Sequence, residues 1–492
     1  MISSREVKVL DKNAEYFGTN QYKLMENAGK EVANFIYQID PKEKKILVFS
    51  GIGNNGGDGF VATRYILKKY NVTIFLVGKE KDIKTEISRK NFIKLKKANI
   101  DIFDIDSIDK VDELILENHI IIDSMMGIGL SGELREPFLN IVKKINSAED
   151  KTILSVDVPT GLGTKTAVKP KYTLTFHDKK EGMSIKNCGD IKIIDIGIPR
   201  DAIDCVGPGE LEVYYPRPKR QSHKGDNGSV LIIGGGPYVG APALAGLAAL
   251  RTGSDLVYIA TPREVGRTIA SFSPNLIVKD LNSDFLTTGD IPIIREILDR
   301  CNAIVIGPGL GKAKETEKAI IKIVEIFIKQ KKPLVIDADA IKPIGEKLDI
   351  IKNSKTVVTP HKEEFRKLTG IILPKDIDSK IKTVQEFAEK LSISIFLKGY
   401  IDILSNGKKT KINKIHNEAM TVGGTGDVLA GIIGTLLSKG VEPFNAIRIA
   451  AFLNGEAGNN AFDKKSYGLL ATDIIEELPL VLKKYLSYNN RE

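Results

Sequence analysis

The chain has 492 residues, more than one hydrophobic core serves, and its length suggests two or three domains. Hydrophobic residues at 42% and charged residues at 27% are ordinary for a soluble globular protein, and no apolar run nears the roughly 18 residues of a membrane span. Residues 1–6 open no apolar signal core, so a cytoplasmic protein without a membrane partner is expected. The net charge of +9 is spread among nearly as many acids, with no basic block and no basic–aromatic interleaving. That pattern suits a lysine-rich surface and gives no footprint for nucleic acid. Cys188, Cys205 and Cys301 are scattered and form no CxxC pair, which argues against a disulfide framework and a structural zinc.

In chain order, apolar runs at 45–50, 72–77, 120–123, 153–156 and 172–176 alternate with helical stretches. A second series follows at 230–234, 256–260, 303–307, 334–337, 356–359 and 394–397. Runs that are apolar throughout suit strands covered on both faces, and strand–helix repetition builds parallel sheets. Both halves therefore read as α/β. Residues 214–221 hold two prolines and three cations with no periodicity, so an exposed connection is expected there. The domains are then 1–215 and 216–492.

In the first half, the run 45–50 enters Gly51-Ile52-Gly53-Asn54-Asn55-Gly56-Gly57-Asp58-Gly59 and a helix through Leu67. Gly51, Gly53 and Gly56 spell the dinucleotide-binding G-x-G-x-x-G, a weak signal alone because a tight turn gives the same residues. Asn54, Asn55 and Asp58 put more polar side chains into the loop than phosphate binding needs. The tip of the next run, Gly78-Lys79, lacks the ribose-binding acid of a dehydrogenase, although Glu80 is near. Asp123 ends the run 120–123 and leads to Gly127-Ile128-Gly129-Leu130-Ser131-Gly132-Glu133, and Asp157 ends the run 153–156 ahead of Pro159-Thr160-Gly161. Ligands of open α/β sheets sit beyond the carboxyl ends of the strands. One Asp at a strand end is usually a helix cap; three polar loops in order favour a site.

The loop GIGNNGGDGF, the segment DSMMGIGLSGELR, SVDVPTG and the early helix around 24–29 resemble the NAD(P)H-hydrate epimerases across nearly all of residues 1–215. The resemblance implies a Rossmann-like layered domain that interconverts the R and S forms of hydrated NAD(P)H and binds potassium. It implies that Asn55, Asp123 and Thr160 hold the potassium. It also implies that Asn54, Asn55, Gly56, Gly57, Asp58, Gly127, Ile128, Gly129, Leu130, Ser131, Gly132, Glu133 and Asp157 contact the hydrate. Ile128 stands where the family commonly has Thr, so only its backbone is expected to take part. Asp157 is the expected proton-transfer residue, since inversion at the hydroxylated C6 needs a proton moved at one oxygen.

In the second half, His223-Lys224-Gly225 precedes the run 230–234, which ends in Gly234-Gly235-Gly236 and leads to Gly240-Ala241-Pro242. Gly307-Pro308-Gly309-Leu310-Gly311-Lys312 misses the P-loop pattern, because its glycines are one residue too close and no Ser or Thr follows the lysine. Polar loops Asp337-Ala338-Asp339-Ala340 and Thr359-Pro360-His361 follow the next two runs. Gly423-Gly424-Thr425-Gly426-Asp427 opens an apolar helix. Glycines at a helix start make a nest of backbone donors for phosphate, and Asp427 in the first turn can accept a proton from a hydroxyl being phosphorylated. The plainer role for Asp427 is a favourable charge at a helix N-terminus.

HKGxxG, the triple glycine, GPGLG, DADA, TPHKEEF, LKG and GGTGDVLAG resemble the ADP-dependent NAD(P)H-hydrate dehydratases, in order across roughly 220–475. The resemblance implies a ribokinase-like domain with magnesium and ADP as co-substrate. Ala241, Gly309, His361 and Asp427 would contact the hydrate. Lys398, Gly399, Tyr400, Ile401, Asp402, Gly424, Thr425 and Gly426 would contact the nucleotide, with Asp402 replacing the family's usual Thr. Expected partners are thus NADHX, NADPHX and ADP, in a homo-oligomer. A dehydrogenase, or a vitamin or sugar kinase on the shared fold, are the competing readings.

Overall fold

A computed structural model describes residues 1–39, 45–129 and 132–487. The chain forms two compact units, Met1–Ile203 and Asp204–Glu492.

The first unit is a seven-stranded, wholly parallel sheet: β1 (Lys45–Ser50), β2 (Asn71–Leu76), β3 (Asp101–Asp104), β4 (Ile120–Ser124), β5 (Thr152–Val156), β6 (Tyr172–Phe176) and β7 (Asp190–Ile194). Its order is β3-β2-β1-β4-β5-β6-β7. Side chains alternate across a strand, and β1 shows it: Ile46 and Val48 join one core with Phe60 and Phe92, while Leu47 and Phe49 join another with Val111 and Ile141. Both faces are buried, which is why these strands are apolar throughout. The chain order reverses between β1 and β4, opening a crevice at their carboxyl ends.

The second unit repeats the principle with β8 (Ser229–Ile233), β9 (Leu256–Pro262), β10 (Ile277–Leu281), β11 (Ala303–Ile306), β12 (Leu334–Ile336), β13 (Thr356–Val358), β14 (Ser394–Leu397), β15 (Asp402–Ser405) and β16 (Thr410–Asn413). The order is β10-β9-β8-β11-β12-β13-β14-β15-β16, so the reversal falls between β8 and β11. Contrary to the expectation of parallel strands alone, β15 and β16 are antiparallel additions, since short turns after β14 and β15 leave no room for a crossover. The helix Thr425–Ser438 is buried from Val428 to its end, as its apolar run requires.

The boundary lies at 203/204, ahead of the expected 215. Cys205 bridges to Ile412, and the N–H of Val206 donates to the Ile412 carbonyl at 2.9 Å, so the chain joins the second unit at β16. Helix Pro208–Tyr214 buries Leu211, and its Glu210 carboxylate meets Arg448 at 3.0 Å, both side chains buried. Tyr215, placed by sequence in an exposed connection, is 9% exposed and donates its hydroxyl to the Thr252 carbonyl at 2.7 Å.

Candidate active sites

In the first unit the glycines let backbones meet. A Cβ on Gly51 would lie 1.8 Å from the Met125 carbonyl oxygen, and one on Gly56 would lie 1.8 Å from that of Gly51. The β1 and β4 loops are therefore pressed together, with helix Asn54–Ile66 starting in the crevice. Glu80, the acid nearest the tip of β2, pairs with Lys96 at 2.8 Å on the surface.

Asp123 is fully buried. Its carboxylate accepts from the Thr160 hydroxyl at 2.6 Å, the Thr160 N–H at 2.9 Å and the Ser155 hydroxyl at 2.8 Å. Burial pushes its proton affinity above the usual carboxylate range, and these donors offset part of the rise. Asn55 is 8% exposed, and among the described residues neither polar atom of its amide has a hydrogen-bond partner. Such a group is costly unless something else satisfies it. Gly127 lies against it, since a Cβ there would be 3.5 Å from Asn55 Cβ.

Asp157 stands at φ +64°, the left-handed region that non-glycine residues seldom adopt, immediately after β5. Its Oδ1 lies 2.5 Å from the Lys180 ammonium, which also donates to the Thr175 hydroxyl at 3.0 Å and the Phe176 carbonyl at 2.7 Å. Burial and then the Asp157 and Asp11 charges push the Asp58 carboxyl well above its ordinary range. Burial and Asp157 raise Asp11 to about 6. Asp11 and Lys180 carry no family motif, and nothing in the sequence singles them out. They arrive because Ile2 bridges to Lys180, which brings the helix Ser4–Tyr16 alongside.

Several of the other expected hydrate contacts have protein partners of their own. Asn54 accepts from the Thr85 hydroxyl at 2.7 Å and fastens the loop before helix Glu86–Lys96. Ile128 packs against the cluster of Val158, Met183 and Cys188. Glu133 is exposed and accepts from the Lys165 N–H at 3.1 Å. Gly129 and Gly132 are exposed, and Leu130 and Ser131 lie outside the described residues.

In the second unit, loops after β8, β11, β12, β13 and β14 converge. A Cβ on Gly309 would lie 3.3 Å from the Ala241 Cβ, and one on Gly307 would lie 1.8 Å from the Asp337 carbonyl. The Lys398 ammonium sits 2.9 Å from Asp337 Oδ1 and 3.8 Å from Glu364 Oε2, and a Cβ on Gly426 would be 3.3 Å from it. These carboxylates hold the partly buried lysine charged against the pull of desolvation. Asp427, in the first turn of helix Thr425–Ser438, is raised to about 7 by burial first and then by the Asp337 charge, with Lys398 opposing. A carboxyl group poised near neutrality suits proton transfer.

His361 caps helix Lys362–Thr369, its Nδ1 accepting from the Glu363 and Glu364 N–H groups at 3.1 and 3.4 Å, and its ring stays half-exposed. The Thr425 hydroxyl donates to the Met420 carbonyl at 3.0 Å, so it already has a local partner. Asp402 turns inward. It accepts from the Gly399 N–H at 3.0 Å and Asn413 Nδ2 at 2.9 Å, and so pins the 398–402 loop, whose Tyr400 is 93% exposed. Asp337 and Glu364 lie in quoted segments, yet only their meeting at Lys398 singles them out.

The model of the NAD(P)H-hydrate dehydratase family matches residues 230–480, and that of the YjeF-related protein N-terminus matches residues 21–182. A solved ribokinase-like superfamily protein from Enterococcus faecalis aligns with 57% of this chain and 96% of its own at 26% identity, TM-score 0.51. The class is thus a two-activity enzyme, an isomerase unit followed by a lyase unit of ribokinase-like fold. A bifunctional NAD(P)H-hydrate repair enzyme of Archaeoglobus fulgidus is 40% identical over 99% of both chains. Another, of Methanocaldococcus jannaschii, is 40% identical over 98% of this chain and 94% of its own. The chain belongs to the bifunctional NAD(P)H-hydrate repair enzymes.

Proposed function

We propose that the crevice of the first unit epimerises hydrated NADH and NADPH at C6, and that the second unit dehydrates the S form using ADP. The observation that carries this reading is the placing of Asp427: a partly buried carboxyl with its proton affinity raised to about 7, at the head of a glycine-opened helix and within the field of the partly buried Lys398. Hydroxide leaves poorly. Transfer of a phosphoryl group from ADP to the C6 oxygen, with the hydroxyl proton passing to Asp427, leaves AMP and a phosphate ester. Loss of phosphate from C6 and a proton from C5 then restores the C5–C6 double bond. Lys398 and the backbone donors at 424–426 would neutralise the transferring phosphoryl oxygens.

In the first unit Asp157 would move the proton at the C6 oxygen. Potassium fits Asn55, Asp123 and Thr160: all three offer oxygen donors, and the Asn55 amide has no other partner among the described residues. Bound there, the ion would order the loops after β1, β4 and β5 around the substrate. Among the described residues no group of three or more His, Cys, Asp or Glu side chains is arranged to hold a metal. Magnesium is usually held by one or two carboxylates plus substrate phosphates and water. It would supply charge neutralisation on the nucleotide.

Each epimer is supplied separately with magnesium, potassium and ADP or ATP, and NADH absorbance is followed. Both epimers should be recovered with ADP. Asp157→Ala should slow only the R form, by at least 100-fold, and Asp427→Ala should abolish recovery of both. Replacing potassium by a large organic cation should slow the R form alone. A stable phosphorylated product, with no NADH, would move the kinase reading to first place.

A further inference from the structure

Three carboxylates and one lysine in the first unit lie close enough to feel one another's charge, with Asp157 in contact with the lysine, and epimerisation as proposed uses only that one carboxylate. Asp157 follows β5, Asp58 lies on helix Asn54–Ile66, Asp11 lies on helix Ser4–Tyr16, and Lys180 follows β6. The lysine side chain is 4% exposed and that of Asp157 is 14% exposed. The ammonium has three donors, and all are aimed: at Asp157 Oδ1, the Thr175 hydroxyl and the Phe176 carbonyl. The Phe176 N–H also donates to Asp157 Oδ1 at 3.3 Å. Asp157 is therefore gripped by one cation and one backbone donor, in a backbone conformation that its neighbours must enforce.

We infer that Lys180 is a positioning residue for the proton transfer: its ammonium, anchored on the Thr175 hydroxyl and the Phe176 carbonyl, holds the Asp157 carboxylate in place, with Asp58 as the second carboxyl of the site. This rests on the epimerase reading. One buried cation offsets one of several nearby negative charges, so the carboxyl groups cannot all ionise at neutral pH. Burial and the charges of Asp157 and Asp11 press Asp58 toward the protonated form. Inversion at a hydroxylated carbon beside nitrogen needs both states. Asp58 gives its proton to the C6 oxygen as the C–O bond breaks, and the ring-nitrogen lone pair forms C6=N. Water then adds from the other face as Asp157 takes its proton. The return reaction reverses the two roles, and exchange with solvent resets them. The charged groups bearing on Asp58 are Asp157, Asp11 from the first helix and Lys180, and Lys12 acts on Asp11 in turn.

The full-length protein is tested as Lys180→Met and Lys180→Arg, with the S epimer as an internal check on folding and on the second unit. Lys180→Met should leave S-epimer dehydration within about twofold. It should lower kcat for the R epimer at least 50-fold with little change in KM, and move the acid limb of its pH profile upward. Lys180→Arg should restore the limb. A rate loss with an unmoved limb, or a rise in KM alone, overturns the inference. A readout without substrate separates it from the epimerase reading. The infrared spectrum at neutral pH should show a protonated-carboxyl band that Asp58→Asn removes. Lys180→Met should add a second band that Asp157→Asn removes. If both bands behave so but the wild type does not speed the R epimer, the epimerase reading falls and the role of Lys180 stands. If the second band is absent, the lysine assignment falls.

Discussion

At the scale of single residues, the motif-bearing side chains were legible and their electrostatic partners were not. Asp123, Asp157 and Asp427 stand at strand ends or a helix start, where order along the chain shows them. Lys180 and Asp11 become visible only once Ile2 pairs with Lys180, a meeting of positions far apart in sequence. Asp402 adds a role that its place in the nucleotide motif does not show: its carboxylate fastens the loop from beneath. The raised proton affinity of Asp427 has a stability consequence. A folded-state value of about 7 against an ordinary 3.8 means that its bound proton favours folding below 3.8, and that this contribution is lost as pH rises through 7. Asp427→Asn has no such loss. In thermal unfolding of the second unit, its advantage over the wild type should grow from pH 4 to pH 8 by roughly 2–4 kcal/mol, while dehydration disappears.

At the scale of elements, central strands were legible and edge strands were not. The run 45–50 became β1 (Lys45–Ser50) because both its faces are buried. By contrast β3 (Asp-Ile-Phe-Asp) and β10 (Ile-Val-Lys-Asp-Leu) lie at sheet edges, where solvent admits charged side chains and the apolar signal fades. The second lesson is helix Pro208–Tyr214. Prolines and cations just beyond it resembled a linker, but that stretch is a surface loop of the second unit. Glu210 and Arg448 make the helix part of the core, with the guanidinium also over the rings of Tyr214 and Phe444. Arg448→Met should cost about 3–5 kcal/mol by leaving a buried carboxylate without its main cation, and Glu210→Gln in the same chain should recover part of that in urea unfolding. A fragment starting at Asp204 should fold and dehydrate the S epimer. One starting at Pro216 should unfold at markedly lower urea, because it lacks that helix.

At the scale of the whole molecule, each unit carries its own sheet reversal, its own core and its own carboxylate site. The residues 1–203 alone should therefore speed R-epimer conversion without any nucleotide, measured by coupling to a separate dehydratase, and adding ADP should not change the rate. No helix among the described residues is long and apolar enough to cross a membrane. The three cysteines add something else. Cys188 is sealed in the first unit, and Cys205 and Cys301 are sealed in the second, with burial pushing the Cys301 thiol up to about 12. A thiol must be both exposed and ionised to react. The native chain thus carries its own unfolding clocks: alkylation at Cys188 times the opening of one unit, and alkylation at Cys205 and Cys301 times the opening of the other, with no engineered label.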